Sequence, residues 1–170
     1  MKTKFSPLAV YLLMFIQLLS GCGGDKRPPG FPKLYPVSLK VMQEGQPLSE
    51  AAVSLSISDR SMTWSIGGVT DEQGIVVLWT HGKFRGAPAG MFKVAVNKLY
   101  NEGEKEMIEA GNREDFATAA KIQVNSFSYV KEEYNSVDTT PIEIEITSKS
   151  KMIDIDAGPA VKIKRAYMRQ

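Results

Sequence analysis

From Val37 onward the chain keeps returning to apolar and polar residues in strict alternation over short stretches. Val37, Leu39 and Val41 alternate with Ser38 and Lys40; Val53, Leu55 and Ile57 with Ser54, Ser56 and Ser58; Met62, Trp64 and Ile66 with Thr63 and Ser65. Phe92, Val94 and Val96 alternate with Lys93, Ala95 and Asn97, then Ile142, Ile144 and Ile146 with Glu143, Glu145 and Thr147, and last Ile153 and Ile155 with Asp154 and Asp156. A strand points successive side chains to opposite faces, so a period of two gives each segment one face for a core and one for water. Ile75-Val76-Val77-Leu78-Trp79 is apolar on both faces and reads as a strand covered on both sides. Turn-forming residues separate the segments: Glu44-Gly45-Gln46-Pro47, Ser58-Asp59-Arg60-Ser61, Asp71-Glu72-Gln73-Gly74, and residues 82–90 and 148–151. Seven such segments in a chain of 170 residues predict one all-β domain, a seven-stranded antiparallel β-sandwich over residues 37–158.

Residues 101–135 break the series. Residues 102–110 are rich in helix formers, Gly111 is a stop signal, and Asn112 followed by Asp115 predicts the cap of a second short helix reaching about Ala120. The segment is therefore a partly helical insertion. It carries 8 acidic and 4 basic residues, whereas the tail over residues 159–170 holds Lys162, Lys164, Arg165 and Arg169 and no acid. Opposite signs would draw the two together, although two independent solvated faces are the simpler reading, since exposed pairs contribute only about 0–1 kcal/mol each.

The N-terminus begins with Lys2 and Lys4, followed by an apolar run over residues 8–19 interrupted only by Gln17. That run falls short of the roughly 20 apolar residues of a membrane span and matches the core of a secretory signal. Leu19-Ser20-Gly21-Cys22 closes it and resembles the lipobox of bacterial lipoproteins. The resemblance implies that residues 1–21 are a signal peptide cut between Gly21 and Cys22. The Cys22 thiol would then carry diacylglycerol, and its new amino group an acyl chain such as palmitate. Two or more chains hold a protein stably to a bilayer where one does so only marginally. By the same resemblance, Gly23 in place of Asp implies transfer to the outer membrane of a host with two membranes. Residues 22–36 contain Pro28, Pro29, Pro32 and Pro36 with Gly23, Gly24 and Gly30, the composition of an extended tether. At about 3 Å per residue such a tether would hold a domain roughly 30–40 Å from the lipid.

Loss of residues 1–21 removes two lysines and no acid, so the formal charge of +2 becomes a balance of 19 basic and 19 acidic residues. A neutral chain has no global attraction for a phosphate backbone, and nucleic acid is not expected as a partner. One Cys and one His exclude an internal disulfide and a zinc site of sulfur and nitrogen ligands. A serine triad would have to use His81, which stands in Trp79-Thr80-His81-Gly82 at a strand end, and no Gly-x-Ser-x-Gly elbow is present. No phosphate-cradling glycine loop precedes a helix, so no cofactor is expected.

Two surfaces remain as candidates. If Lys149-Ser150 turns a hairpin, Glu145 faces Asp154 and Glu143 faces Asp156 on the outward side of the last two strands. Directly opposed like charges cost about 0.2–1 kcal/mol per pair, so the four carboxylates either form a weak calcium or partner face or are balanced by nearby Lys and Arg, the latter being the expectation. The second surface is aromatic. Trp64, Trp79, Phe84, Tyr100 and Tyr134 would suit a sugar-stacking platform, but Trp64 shares a face with Met62 and Ile66, and Trp79 continues that of Ile75 and Val77. Phe84, between Lys83 and Arg85 in a Gly-rich loop, is the aromatic most open to solvent on this reading. It would offer a basic-aromatic-basic contact for glycan, anionic lipid or protein unless the loop folds back over the sandwich end.

Several stretches resemble the carboxypeptidase regulatory-like domains of small bacterial lipoproteins: Val37-Ser38-Leu39-Lys40-Val41, Gly45-Gln46-Pro47-Leu48, Ala51-Ala52-Val53-Ser54-Leu55, Thr70-Asp71-Glu72-Gln73-Gly74 and the segment from Gly86 to Val96. Val130-Lys131-Glu132-Glu133-Tyr134-Asn135 and Thr139-Thr140-Pro141-Ile142 extend the likeness over most of residues 37–157, with departures at Leu39 and Glu50, where glycine is usual. The resemblance implies a transthyretin-like sandwich that brings no catalytic residues. The expected function is a lipid-anchored, non-enzymatic envelope module, held to the membrane by its anchor and acting on a protein or glycan partner. A carbohydrate- or peptide-binding module using the Phe84 loop is the alternative.

Overall fold

The alternating segments form strands whose apolar sides close on a shared core. The computed structural model describes residues 27–57 and 64–166; the signal segment, Gly21, Cys22 and the turn at residues 58–61 lie outside the described residues. The chain divides into two units, Met1–Phe31 and Pro32–Gln170. In the first, the Phe31 amide donates to the Pro28 carbonyl at 3.1 Å.

The second unit opens with β1 (Leu34–Tyr35), β2 (Ser38–Gln43), β3 (Gln46–Pro47), β4 (Ala52–Ile57), β5 (Ile66–Val69), β6 (Ile75–Val77), β7 (Trp79–Thr80), β8 (Phe84–Arg85), β9 (Ala87–Pro88), β10 (Gly90–Asn97) and β11 (Leu99–Glu102). Helices α1 (Glu104–Asn112) and α2 (Phe116–Ala119) follow, then β12 (Asn125–Ser128), a 3-10 helix (Glu132–Asn135), β13 (Glu143–Ile146), β14 (Met152–Asp156) and β15 (Ile163–Arg165). One sheet runs β13-β10-β4-β5-β7-β8, all neighbours antiparallel. A second runs β14-β2-β3, with β6 also on β2. Val53, Leu55, Phe92, Val94 and Ile144 from the first sheet and Leu39, Val41, Val76 and Ile155 from the second belong to a single buried cluster. This is a β-sandwich, as the alternation predicted, and no helix among the described residues is long and apolar enough to cross a membrane.

Four expectations need correction. The sandwich is not wholly antiparallel, because β14 lies parallel to β2, with Ile153 opposite Leu39 and Asp154 opposite Lys40. Segments β13 and β14 therefore do not form a hairpin. Each faces the core from a different sheet, which keeps the isoleucines of both inside without setting four carboxylates against one another. The apolar run 75–79 is not covered on both sides. It leaves β2 after Val77 and joins β5 at Trp79, so Val76 and Leu78 are fully buried while Trp79 is 39% exposed.

The third correction concerns the tether, whose last part is structured: Leu34–Tyr35 pairs with Ala87–Pro88, and Leu34 is buried. The fourth concerns the tail, where Ile163–Arg165 pairs with β12, and β12 with β11, forming a third sheet from the insertion and the C-terminal segment. The insertion holds two helices, as the sequence reading expects, but α1 continues through Gly111 to Asn112, so Gly111 does not stop it and Asp115 alone caps α2, its carboxylate accepting from the Thr118 amide at 3.1 Å.

Candidate functional site

The sequence-derived candidates do not converge. The lipidation and cleavage residues Cys22 and Gly21 lie outside the described residues. In the Lys83-Phe84-Arg85 triplet, the β7–β8 hairpin sets Phe84 opposite Thr80 on the inward side, so Phe84 is 9% exposed and only its basic neighbours face water. Lys83 Nζ lies 5.5 Å from the Phe84 ring centroid. Of the two readings of this loop, the one in which it folds back over the sandwich end holds: Phe84 is a packing residue, because the strand register rather than the glycine content of the loop decides its direction. His81 occupies the tip of the same hairpin at φ 54°, its ring 5.3 Å from that of Trp64.

The carboxylates are divided between sheets. Glu143 stands opposite Lys93 and Glu145 opposite Met91, whereas Asp154 stands opposite Lys40 and Asp156 opposite Met42. All four are exposed, and among the described residues no group of three or more His, Cys, Asp or Glu side chains is placed to hold a metal. The cation-face geometry required a hairpin that does not form, and two of the four have lysine as their cross-strand neighbour.

What the chain does assemble is a cleft of about 670 Å³ at the junction of β10, the third sheet and the 3-10 helix. Its floor is a cross-strand row: Asn101 of β11 faces Ser126 of β12, which faces Arg165 of β15. Leu99 lies two residues before Asn101 on the same side of β11. The wall is supplied by Glu132 and Asn135 of the 3-10 helix with Ser136 and Thr139 beyond it. Asn97, where β10 ends, ties wall to floor by donating its side-chain amide to the Asn135 carbonyl at 2.8 Å.

With its own amide turned to satisfy both ends, Asn135 donates to Asn97 Oδ1 at 3.3 Å and to the Val96 carbonyl at 3.1 Å, and accepts from Arg165 Nη2 at 3.2 Å. Arg165 Nη1 donates to Glu132 Oε1 at 3.3 Å. Asn101 donates to Glu104 Oε2 at 2.8 Å, and Thr139 Oγ1 to the Glu133 carbonyl at 2.8 Å. Amides and hydroxyls each offer donor and acceptor positions, so this surface can orient a polar ligand beside the apolar patch of Leu99.

The cleft exists because insertion and tail meet. Lys162 Nζ reaches Glu102 Oε1 at 2.7 Å and sits 4.3 Å from the Phe127 ring centroid. The hydrogen bond to Glu102 holds the Lys162 ammonium above its ordinary pKa. The opposite charges of the two segments were the sequence signal for this site, and the reading of them as independent solvated faces is the one overturned.

Neither a family model nor a curated protein matches this chain. Among solved structures it has a likeness to the major pilin subunit of Bacillus cereus, at a TM-score of 0.40 and 14% identity, covering 74% of this chain and 30% of that one. The chain thus spans under a third of the pilin's length.

Proposed function

We propose that this is a lipid-anchored, non-enzymatic protein of the bacterial envelope whose sandwich displays the cleft between β10, the third sheet and the 3-10 helix as a binding surface. One observation supports the binding surface: the cleft combines asparagine amides, hydroxyls and a paired arginine, and His81 is not among the residues that line it; the lipid anchor rests on the sequence around Cys22. Its volume falls within the roughly 300–1,000 Å³ usual for small-ligand pockets. The binding alternative to a purely structural module moves accordingly from the Phe84 loop to this cleft. Membership of the carboxypeptidase regulatory-like group and placement at the outer membrane rest on the sequence motifs alone.

Two experiments test the proposal. Intact-mass analysis of protein extracted from bacterial membranes is expected to show a chain beginning at Cys22 with its acyl groups, and Cys22→Ser to release the protein from the membrane fraction; a soluble wild type removes the anchor. Saturation-transfer NMR with neutral and acidic oligosaccharides and short peptides is expected to give a signal that Leu99→Trp, which fills the cleft, reduces at least tenfold. A signal unaffected by Leu99→Trp but lost in Trp79→Ala would move the binding surface elsewhere.

A further inference from the structure

The geometry of the cleft points to an acidic saccharide as its ligand, a sugar carboxylate held by Arg165; this rests on the cleft being the binding surface. The guanidinium has a partner on each side, and the two differ in exposure. Nη2 donates to the Asn135 amide, which is locked in turn by Asn97 and the Val96 carbonyl. Nη1 donates to Glu132, whose side chain is 82% exposed while that of Arg165 is 31% exposed. The half of the guanidinium that meets a carboxylate therefore does so at the solvent-facing side, through a partner on a flexible stem. Exposed pairs of this kind contribute little, whereas arginine and a carboxylate in bidentate register bind strongly. Glu132 thus occupies the position a ligand carboxylate would take, and can swing aside without disturbing the Asn97–Asn135 lock.

The rest of the cleft selects the sugar. Its floor is a sheet face, along which a ligand meets side chains rather than the unpaired main chain that an extended peptide uses. The row Asn101–Ser126–Arg165 crosses three strands, a span of about 10 Å at the usual strand spacing, which matches one or two sugar rings. Ser126 and Asn101 on the floor and Ser136 and Thr139 on the wall provide hydroxyl and amide partners for ring hydroxyls, and Leu99 an apolar patch for a ring face.

The test titrates the full chain with digalacturonic acid, with neutral galactobiose, and with acetyl-Ala-Ala bearing a free carboxylate, following the Asn97, Asn101 and Asn135 side-chain amides and the Arg165 guanidinium by NMR. The expected result is saturable shifts with the acidic disaccharide, at least tenfold weaker binding of galactobiose and of the peptide, tighter binding of the acidic disaccharide in Glu132→Gln, and loss of the acid preference in Arg165→Gln. Because Glu132 is exposed, Glu132→Gln keeps the test decisive even if Arg165→Gln loosens β15. Equal binding of both disaccharides overturns the carboxylate assignment and leaves the cleft as a binding surface. Peptide binding equal to that of the acidic disaccharide overturns the saccharide assignment, and no shift with any probe removes both inferences.

Discussion

Thr70 shows how a short motif becomes structure. Its buried hydroxyl accepts from the Ala51 amide at 2.8 Å and donates to the Leu48 carbonyl at 2.7 Å, stitching the start of β4 to the end of β5. The next residue, Asp71, accepts at one oxygen from the amides of Gln73 and Ile75, closing the turn that delivers β6. Thr70→Val would strand a buried N–H and carbonyl and is expected to cost about 1–3 kcal/mol in urea unfolding, with Thr70→Ser close to wild type. Asp115 behaves similarly on the surface. Hydrogen bonds from Thr118, side chain first and then backbone, hold its carboxyl below the ordinary value of 3.8. A lowered folded pKa means the cap is fully effective above that value and is lost as pH falls through the lowered one. Amide exchange in α2, corrected for intrinsic rate, should therefore rise in acid in the wild type, and Asp115→Asn should abolish that transition.

Among the elements, legibility followed hydrophobic contrast. Segments such as Val53 to Ile57 or Phe92 to Val96 announced themselves because valine, leucine or phenylalanine marked the inward side. In β12 the marking is inverted. Ser126 and Ser128 are the buried residues, Ser128 donating to the Val130 carbonyl at 2.8 Å, while Phe127 takes the outer side under Lys162. Alternation cannot reveal a strand whose inward residues are serines. Strand β5 is displaced from the alternation of Met62, Trp64 and Ile66 for a related reason: it runs Ile66–Val69, where Gly67 and Gly68 have no side chains to mark a face. A Cβ at Gly68 would stand 2.7 Å from Val76 Cγ2 and 2.9 Å from the Val77 carbonyl, so the strand needs glycine to pass β6. Phe84 tests the hairpin register: Phe84→Ala is expected to cost about 3–5 kcal/mol in unfolding free energy, and Arg85→Ala within about 0.5 kcal/mol of zero. An unchanged melting temperature for Phe84→Ala would mean that the aromatic is not packed. Strand β15 is held by its pairing with β12 and flanked by the Lys162–Glu102 pair, whose raised lysine pKa gives a contribution complete below the ordinary value of 10.5 and lost as pH rises through the raised one. Glu102→Gln should speed amide exchange in β15 and leave the core strands unchanged.

For the molecule as a whole, the sequence carried the class of fold and the existence of the helical insertion, but not which strands meet. Pairing is a long-range property, and the final turn at residues 147–150 is compatible with a hairpin until both apolar faces must be buried at once. The cleft was illegible for the same reason. Its residues come from five places in the chain, brought together by the backbone pairing of β15 with β12 and flanked by two ion pairs between an acidic insertion and a basic tail, a meeting that sequence alone left optional. On the proposed reading the sandwich is the support, an acyl anchor at Cys22 would be the mooring, and the junction of insertion and tail would be the working surface. Hydrogen exchange measured by mass spectrometry on the lipidated protein, in its own envelope membranes and after purification, tests that most directly. Protection gained in the envelope should concentrate in residues 97–102, 125–139 and 162–166. Protection centred on residues 79–85, or none in either state, would contradict it.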